Sequence, residues 1–437
     1  MQIALVLHDY LPDHLGGSEL HAHQLAQEWQ RRGHQVQVWC TERDTNLPEG
    51  LLRQRVFEGV PVFEVIHQRE YRQLRESFAP TIQPKLFKQL LAEQRPDLVH
   101  FHHLAHWGAE CVSLARGFGA AVVATMHDYF PLCQSATLLR PNRTICSEWN
   151  TGACHACMGH LPTPVVPEES GHPDEALLYR MRMTQAARQR RANFDCHLAQ
   201  AHELVSPSKF LRSLYLSAGL GRAEHFSVLG TGYPGPASEP RPVRSDRPLR
   251  VGYAGGIYPS KGVHVLVEAC ARLEPGLVEL EVHGALDWFK DYVEELRGLA
   301  GSAAVRFMGP YEPKGVDRIL QRFDVQVVPS IWYENMPITI WEAFRNAVPL
   351  LVSDHGGMAE AVPEGRGGGQ FKVGSVRDLA RRLKELSLDR STLTRWAMNR
   401  PAVQTLEECA DGLERIYARA LEAVHGQRGA LVLKGRL

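Results

Sequence analysis

Two doubly wound α/β domains facing each other across a cleft are the fold class that the sequence predicts, on three observations. The chain has 437 residues, more than one ordinary core accommodates. Apolar strands alternate with amphipathic helices in two separate stretches, the rhythm of parallel sheets covered by helices. Between them, residues 230–248 (GTGYPGPASEPRPVRSDRP) are crowded with Gly, Pro and Arg and have no periodicity, which reads as an interdomain connection. The expected boundaries are 1–235 for the first domain, 236–248 for the linker, 249–404 for the second domain and 405–437 for a final helix and tail. In such an arrangement a ligand sits at the carboxyl ends of the strands.

In the first half, residues 3–7 (Ile-Ala-Leu-Val-Leu) read as a strand, 18–32 as a helix, and 35–39, 98–100 and 121–125 as further strands. After the linker the rhythm restarts, with strands at 249–254, 278–283, 305–308 and 325–328. Helices are expected at 263–273, 288–299, 316–322 and 338–346, and a last one at 405–424, whose partner surface the pattern does not reveal.

Composition narrows the function classes. Lys plus Arg equals Asp plus Glu, at 49 each, so no global field draws nucleic acid or an anionic membrane, and any anion site must be built locally. The start has no basic segment followed by an apolar one, and no apolar run approaches the roughly 18 to 20 residues that span a bilayer. A cytoplasmic protein is expected, with peripheral contact at the inner membrane face compatible with this pattern. Nine cysteines in such a chain do not suggest a disulfide framework.

Four of those cysteines nevertheless cluster. Cys133, Cys146, Cys154 and Cys157 fall in an insert at about 132–173 that lacks helix or strand rhythm, and long unstructured loops are usually functional or stapled. The Cys154-His155-Ala156-Cys157 pair suits tetrahedral zinc, an iron–sulfur cluster uses the same ligand set, and four unconnected thiols are the alternative. His100, His102, His103 and His106 are also dense, but strand alternation sends His100 and His102 to one face and His103 to the other.

The anion chemistry points to turns between strands and helices. Gly16-Gly17-Ser18-Glu19 opens the first helix after a strand that ends at His8-Asp9-Tyr10, and Gly255-Gly256-Ile257-Tyr258-Pro259-Ser260-Lys261-Gly262 links a strand to a helix in the second half. Paired glycines admit a ligand close to the backbone, helix-start amides meet anions, and Lys261 adds a point cation. This is not a Walker loop, because Gly follows the Lys and no Ser or Thr is placed for magnesium. Neither loop has the dinucleotide Gly-x-Gly-x-x-Gly spacing. Further on, Glu334 and Glu342 are separated by seven residues, with Pro337 suited to the first helical position between them. Glu334 should therefore lie on a loop and Glu342 inside the following helix.

Taken together these residues resemble the retaining glycosyltransferases of family 4, which have the GT-B fold. The resemblance runs over nearly the whole chain and rests on residues 16–19, Pro96-Asp97-Leu98-Val99-His100, 255–262, 334–342 and Ser353-Asp354-His355-Gly356-Gly357-Met358-Ala359-Glu360. It implies a nucleotide-sugar donor (UDP-, GDP-, ADP- or TDP-sugar) bound mainly by the second domain, a glycan or lipid-linked acceptor bound mainly by the first, and no catalytic metal. Lys261 would contact the donor diphosphate beside Gly255 and Gly256, Glu342 the ribose hydroxyls, and Glu334 the sugar near its anomeric centre. The stretch Met336, Pro337, Ile338 and Thr339 would hold sugar hydroxyls or phosphate through its amides. Gly16 and Gly17 would let the donor approach, and His127, just past the strand at 121–125, would contact the transferred sugar. One departure stands out: family members commonly carry Arg directly after the first Gly of the second loop, where this chain has Gly256. That absence is the best argument for one rival reading, a non-catalytic nucleotide-sugar binder; another rival is a related GT-B enzyme that consumes donor without a sugar acceptor.

Overall fold

The computed structural model describes residues 1–14, 16–68, 74–146, 151–157 and 173–434. Of the predicted insert, residues 147–150 and 158–172 lie outside the described residues. The chain divides into two compact units, the first formed by Met1–Pro141, Cys146–Gly232 and the chain from Leu406 on, the second by Asn142–Ile145 and Tyr233–Thr405.

The first unit contains β1 (Gln2–Val6), α1 (Gly17–Arg31), β2 (Gln35–Arg43), β3 (Leu52–Phe57), β4 (Val60–His67), α2 (Gln83–Gln94), β5 (Leu98–Phe101), α3 (Glu110–Gly117), β6 (Ala121–Thr125), α4 (Pro173–Leu198), β7 (Glu203–Ser206), α5 (Lys209–Ser217) and β8 (Phe226–Val228). Its eight strands run in the order β3-β4-β2-β1-β5-β6-β7-β8. All neighbours are parallel except the β3–β4 hairpin, which adds one antiparallel edge. Ile3, Ala4, Leu5 and Val6 of β1 are fully buried, which explains why the strand reads as an unbroken apolar run rather than an alternating one. On α1, Ala22, Leu25, Ala26 and Trp29 recur at helical spacing and join the core cluster that contains Leu5, Val38 and Val123.

The second unit contains β9 (Leu249–Ala254), α6 (Val263–Ala271), β10 (Val278–His283), α7 (Lys290–Ala300), β11 (Val305–Gly309), α8 (Val316–Leu320), β12 (Val325–Val328), α9 (Ile338–Arg345), β13 (Leu350–Ser353), α10 (Gly356–Ala361), β14 (Gly368–Phe371), α11 (Val376–Leu388) and α12 (Ser391–Met398). Six parallel strands follow the order β11-β10-β9-β12-β13-β14. The order reverses at β9, whose neighbours on either side are β10 and β12, and a reversal of this kind opens a crevice at the carboxyl ends of the strands. Pro337 caps α9 instead of opening it: its φ of −65° and ψ of 123° are extended, and its carbonyl accepts from Ile340 N at 3.1 Å.

Two elements depart from the sequence expectation. The 26-residue helix α4 has no clean apolar stripe, because the buried line Met183, Ala187, Arg190, Phe194, Leu198 is interrupted by an arginine. Arg190 is accommodated by donating to the carbonyls of Phe130 and Pro131 and by lying between the rings of Phe130 (4.8 Å) and Phe194 (4.7 Å). The stretch expected as a linker, 236–248, is tied along the second unit: Ser238 N donates to Arg345 O at 2.6 Å, Arg241 to Phe323 O at 2.6 Å, and Arg247 forms a bidentate pair with Asp324 at 2.6 and 2.9 Å.

The final helix, α13 (Leu406–Lys434), finds its partner surface on the first unit. Cys409, Ala410, Leu413, Ile416, Tyr417 and Ala420 complete the core cluster of α1 and β1. The Tyr417 hydroxyl meets His100 Nδ1 at 2.7 Å and its ring lies 5.4 Å from that of Trp29, while Arg419 pairs with Glu203 at 2.8 and 3.0 Å. Among the described residues, no helix is long and apolar enough to cross a membrane.

A large buried ring at this seam makes its contribution measurable. Tyr417→Ala is expected to destabilise the protein by about 3 to 5 kcal/mol through the cavity it leaves, and Tyr417→Phe by about 1 kcal/mol through the lost hydrogen bond, in chemical denaturation followed by circular dichroism.

Candidate active site

In the second unit the site is assembled by the loops after β9 and β12, the neighbouring strands at the order reversal. Gly262 closes the first of these loops with φ +67°, and a Cβ there would stand 2.0 Å from Pro329 O at the end of β12. Only a glycine permits so close an approach, and it brings the residue before it, Lys261, over the second loop. Lys261 Nζ donates to Glu334 Oε1 at 2.6 Å. The same oxygen accepts from Ser330 Oγ at 2.7 Å and from Trp332 Nε1 at 2.8 Å. Glu334 is buried on its loop and Glu342 lies within α9, as the spacing places them.

Three donors on one carboxylate oxygen fix its orientation. Burial works against the Lys261 ammonium, but the Glu334 carboxylate and Tyr258 outweigh it and hold the group above its ordinary range. The ammonium also stands 5.5 Å from the Tyr258 ring and 5.2 Å from the Trp332 ring. Burial pushes the Glu342 carboxyl up to about 7, with Arg345 pulling it down and Asp317 pushing it further up. Gly357 N donates to Glu334 O at 2.7 Å, so the start of α10 pins the loop that carries the carboxylate. Thr339 uses its hydroxyl within the fold, donating to Ala254 O at 3.2 Å and accepting from Gln326. Ser330, Trp332 and Tyr258 escaped the sequence reading; the first two lie within four residues of Glu334, where a search for donors to a buried carboxylate would have found them.

The first unit gathers histidines at the carboxyl ends of β1, β5 and β6. His102 Nδ1 lies 3.1 Å from His127 Nε2 with the rings stacked at 15°, and His100 contacts Tyr417 and, through Nε2, Thr125 Oγ1 at 2.7 Å. Burial, reinforced by neighbouring imidazoles, drives His100 and His102 well below their ordinary values and His21 to about 3. His127 falls to about 4 through burial, with Asp128 opposing and His103 adding to the fall. These rings are neutral at physiological pH, each able to donate at one nitrogen and accept at the other. His103 behaves oppositely: burial is outweighed by Asp128, whose Oδ2 lies 3.1 Å from His103 Nε2, and its pKa is raised. Gly16 and Gly17 are exposed at the start of α1, where Gly16 is the N-cap and its carbonyl accepts from Leu20 N at 3.1 Å.

The metal expectation for the insert finds no support in this geometry. Among the described residues, no group of three or more His, Cys, Asp or Glu side chains is disposed to hold a metal ion. Cys133, Cys146, Cys154 and Cys157 are partly buried and form no disulfide. Burial and the other three thiols push Cys154 up to about 11, which keeps it a neutral thiol, and it packs with Met183 and Ala187 of α4.

Two doubly wound units, each with its polar loops at the carboxyl ends of parallel strands, define a protein of the GT-B class. The chain belongs to glycosyltransferase family 4: residues 15–233 match the family model described as Glycosyltransferase Family 4, and residues 237–402 that described as Glycosyl transferases group 1. Among curated relatives, D-inositol 3-phosphate glycosyltransferase of Nocardia farcinica is 31% identical over 193 residues, covering 41% of this chain and 43% of that protein. Glycogen synthase of Mycobacterium tuberculosis is 31% identical over 188 residues, covering 42% and 44%. The alignments thus span less than half the length of these curated relatives. Among solved structures, Anabaena Alr3699/HepE in complex with UDP superposes with a TM-score of 0.58 at 17% identity, covering 99% of this chain and 100% of that one. Sucrose-phosphate synthase of Thermosynechococcus elongatus gives 0.59 at 17% identity and 99% of each chain. At such identities the likeness speaks for the fold alone.

The neutral imidazoles carry a pH signature. Unfolded, His21 and His127 take up protons near 6.5; folded, only near 3 and 4. Stability is therefore present above about 6.5 and is lost as pH falls through the window toward 4, by on the order of 3 kcal/mol for His127. Denaturation midpoints measured from pH 7.5 to 4 are expected to fall, and to fall less steeply in His127→Gln.

Proposed function

We propose that this protein is a retaining glycosyltransferase that moves a sugar from a nucleoside-diphosphate sugar to a hydroxyl of a glycan or lipid-linked acceptor in the cytoplasm. The observation that carries the reading is the buried Lys261–Glu334 pair at the reversal of the second sheet, a cation and a carboxylate on adjacent loops. The pair suits the charge pattern of glycosyl transfer, in which positive character grows on the sugar ring while negative charge grows on the departing diphosphate. Lys261 meets the diphosphate, Glu334 faces the sugar, and Glu342 accepts from the ribose hydroxyls. His127 contacts the transferred sugar as a neutral imidazole, and Gly16 and Gly17 leave room for the donor. The solved complexes of Anabaena Alr3699/HepE with UDP and with UDP-glucose, which share the fold, support a donor of this class.

In the reaction the bond from the anomeric carbon to the phosphate oxygen breaks, and the bond from that carbon to the acceptor oxygen forms on the same face. The acceptor proton passes to the leaving phosphate. A double-displacement route needs a carboxylate nucleophile at the anomeric carbon with a second carboxyl as acid and base. Assigning Glu342 to the ribose leaves no such pair, which favours the same-face route. A second reading, a non-catalytic nucleotide-sugar binder, is favoured by Gly256, which stands where the family commonly carries Arg.

A thermal-shift and calorimetric screen of UDP-, GDP-, ADP- and TDP-sugars tests donor binding, since a ligand of the folded state raises apparent stability. With the donor so identified, Lys261→Ala is expected to weaken its use about 100-fold and Glu334→Gln to remove most turnover while the donor still binds. Normal turnover in both variants would sink the assignment; donor binding by wild type without transfer or hydrolysis would select the binder. Because burial holds Glu342 up to about 7, the carboxylate that accepts from ribose forms across neutral pH. Binding of the ribonucleotide is expected to tighten about tenfold from pH 6 to pH 8 and to lose that dependence in Glu342→Gln.

A further inference from the structure

The glycine loop after β9 holds a side chain that the charge pair at Lys261 and Glu334 does not account for. Tyr258 is extended, with φ −149° and ψ 161°, and its predecessor Ile257 is buried at 1% exposure, so alternation turns the Tyr258 ring the other way, out of the core. That ring lies across the backbone of Gly256: a Cβ on Gly256 would stand 2.4 Å from Tyr258 Cε1 and 3.1 Å from Cδ1. The Gly256 peptide is held by a second tyrosine, whose hydroxyl, that of Tyr253, donates to Gly256 O at 2.6 Å. Phe289 backs the ring at 5.8 Å. A side chain at residue 256 and the Tyr258 ring in this position exclude one another, so the absence of a cation at 256 and the presence of the ring are one feature.

The ring also reaches the cation that remains. Its centroid is 5.5 Å from Lys261 Nζ, which sets the phenol beside the ammonium. A diphosphate that approaches Lys261 therefore approaches the phenol as well. A phenol beside the ammonium can turn its O–H toward an anion, because its hydroxyl is a donor as well as an acceptor. Lys261 is moreover shared with Glu334, so one positive charge faces one fixed negative charge, and a further donor to phosphate adds what the single cation lacks.

We propose that Tyr258 is a donor-positioning residue: its phenol hydroxyl donates to the diphosphate beside Lys261, in the space that a side chain at position 256 would otherwise fill. This rests on the nucleotide-sugar reading above and deepens it by assigning a neutral hydrogen-bond donor where a second cation is absent.

The test compares nucleoside diphosphate with nucleoside monophosphate by calorimetry, using whichever of UDP, GDP, ADP or TDP the wild type binds and its matching monophosphate. Tyr258→Phe keeps the ring and removes the hydroxyl; the diphosphate is expected to bind about tenfold more weakly and the monophosphate unchanged, with the melting temperature preserved. Tyr258→Ala weakens the diphosphate similarly, and the double variant Tyr258→Ala with Gly256→Arg is expected to recover it, since the guanidinium then has room. Diphosphate affinity in Tyr258→Phe equal to wild type, or an equal loss for both nucleotides, would overturn the inference. Lys261→Ala separates the two levels. If it loses diphosphate binding while Tyr258→Phe does not, the site reading stands and the inference falls; if wild type binds none of the four diphosphates, both fall.

Discussion

The ion pair between Lys261 and Glu334 depends on one backbone approach, and much of the second unit is arranged around it. Gly262 meets the carbonyl of Pro329 at a distance no side chain tolerates, so the loop after β9 and the loop after β12 are fixed against each other before any side chain is considered. Since β9 and β12 are neighbours only because the strand order reverses there, the pair exists by topology. Burying it has a desolvation cost, which the extra donors Ser330 and Trp332 offset at the carboxylate. An ion pair so supported is preorganised to meet separated charge, the pattern that glycosyl transfer develops.

The two units treat protonation differently. In the second, the Lys261 ammonium is held charged by its partners while the Glu342 carboxyl is buried toward neutrality. In the first, stacked and buried imidazoles are held neutral, with the pair His103–Asp128 favoured in its charged form beside them. Contact by neutral imidazole suits sugar hydroxyls, which need a donor and an acceptor without a fixed charge. Each environment follows from which partners burial leaves to a side chain.

Much of this was legible in the sequence, for reasons that can be named. Strands such as β1 and β6 are largely apolar runs, Lys261 and Glu334 sit at turns whose glycines and prolines announce them, and Glu342 follows in the helix that Pro337 caps. Helix α4 was not legible, because Arg190 stands in the middle of its buried line and is satisfied only by carbonyls and rings distant in sequence. The destination of α13 was hidden for a similar reason: a helical period shows that an apolar face exists but not which sheet receives it. At the site, Tyr258 reads as an ordinary loop aromatic until its ring is found over Gly256. The cysteines carried the opposite lesson, since a suggestive spacing met a thiol, Cys154, that packs against Met183 and Ala187 of α4.

The return of α13 has a consequence for how the molecule is made. The long stretch of the second unit begins at Tyr233 and ends at Thr405, two residues that form a bridge with each other, so the second sheet is a closed excursion between the strands of the first and α13. A ribosome therefore releases the whole of the second sheet before it releases the helix that covers Trp29. Until α13 emerges, the nascent first sheet carries an uncovered apolar face, and the second unit has time to fold alone. Translation pausing within the excursion would prolong that exposure, which makes the earlier half of this chain a natural client for chaperones.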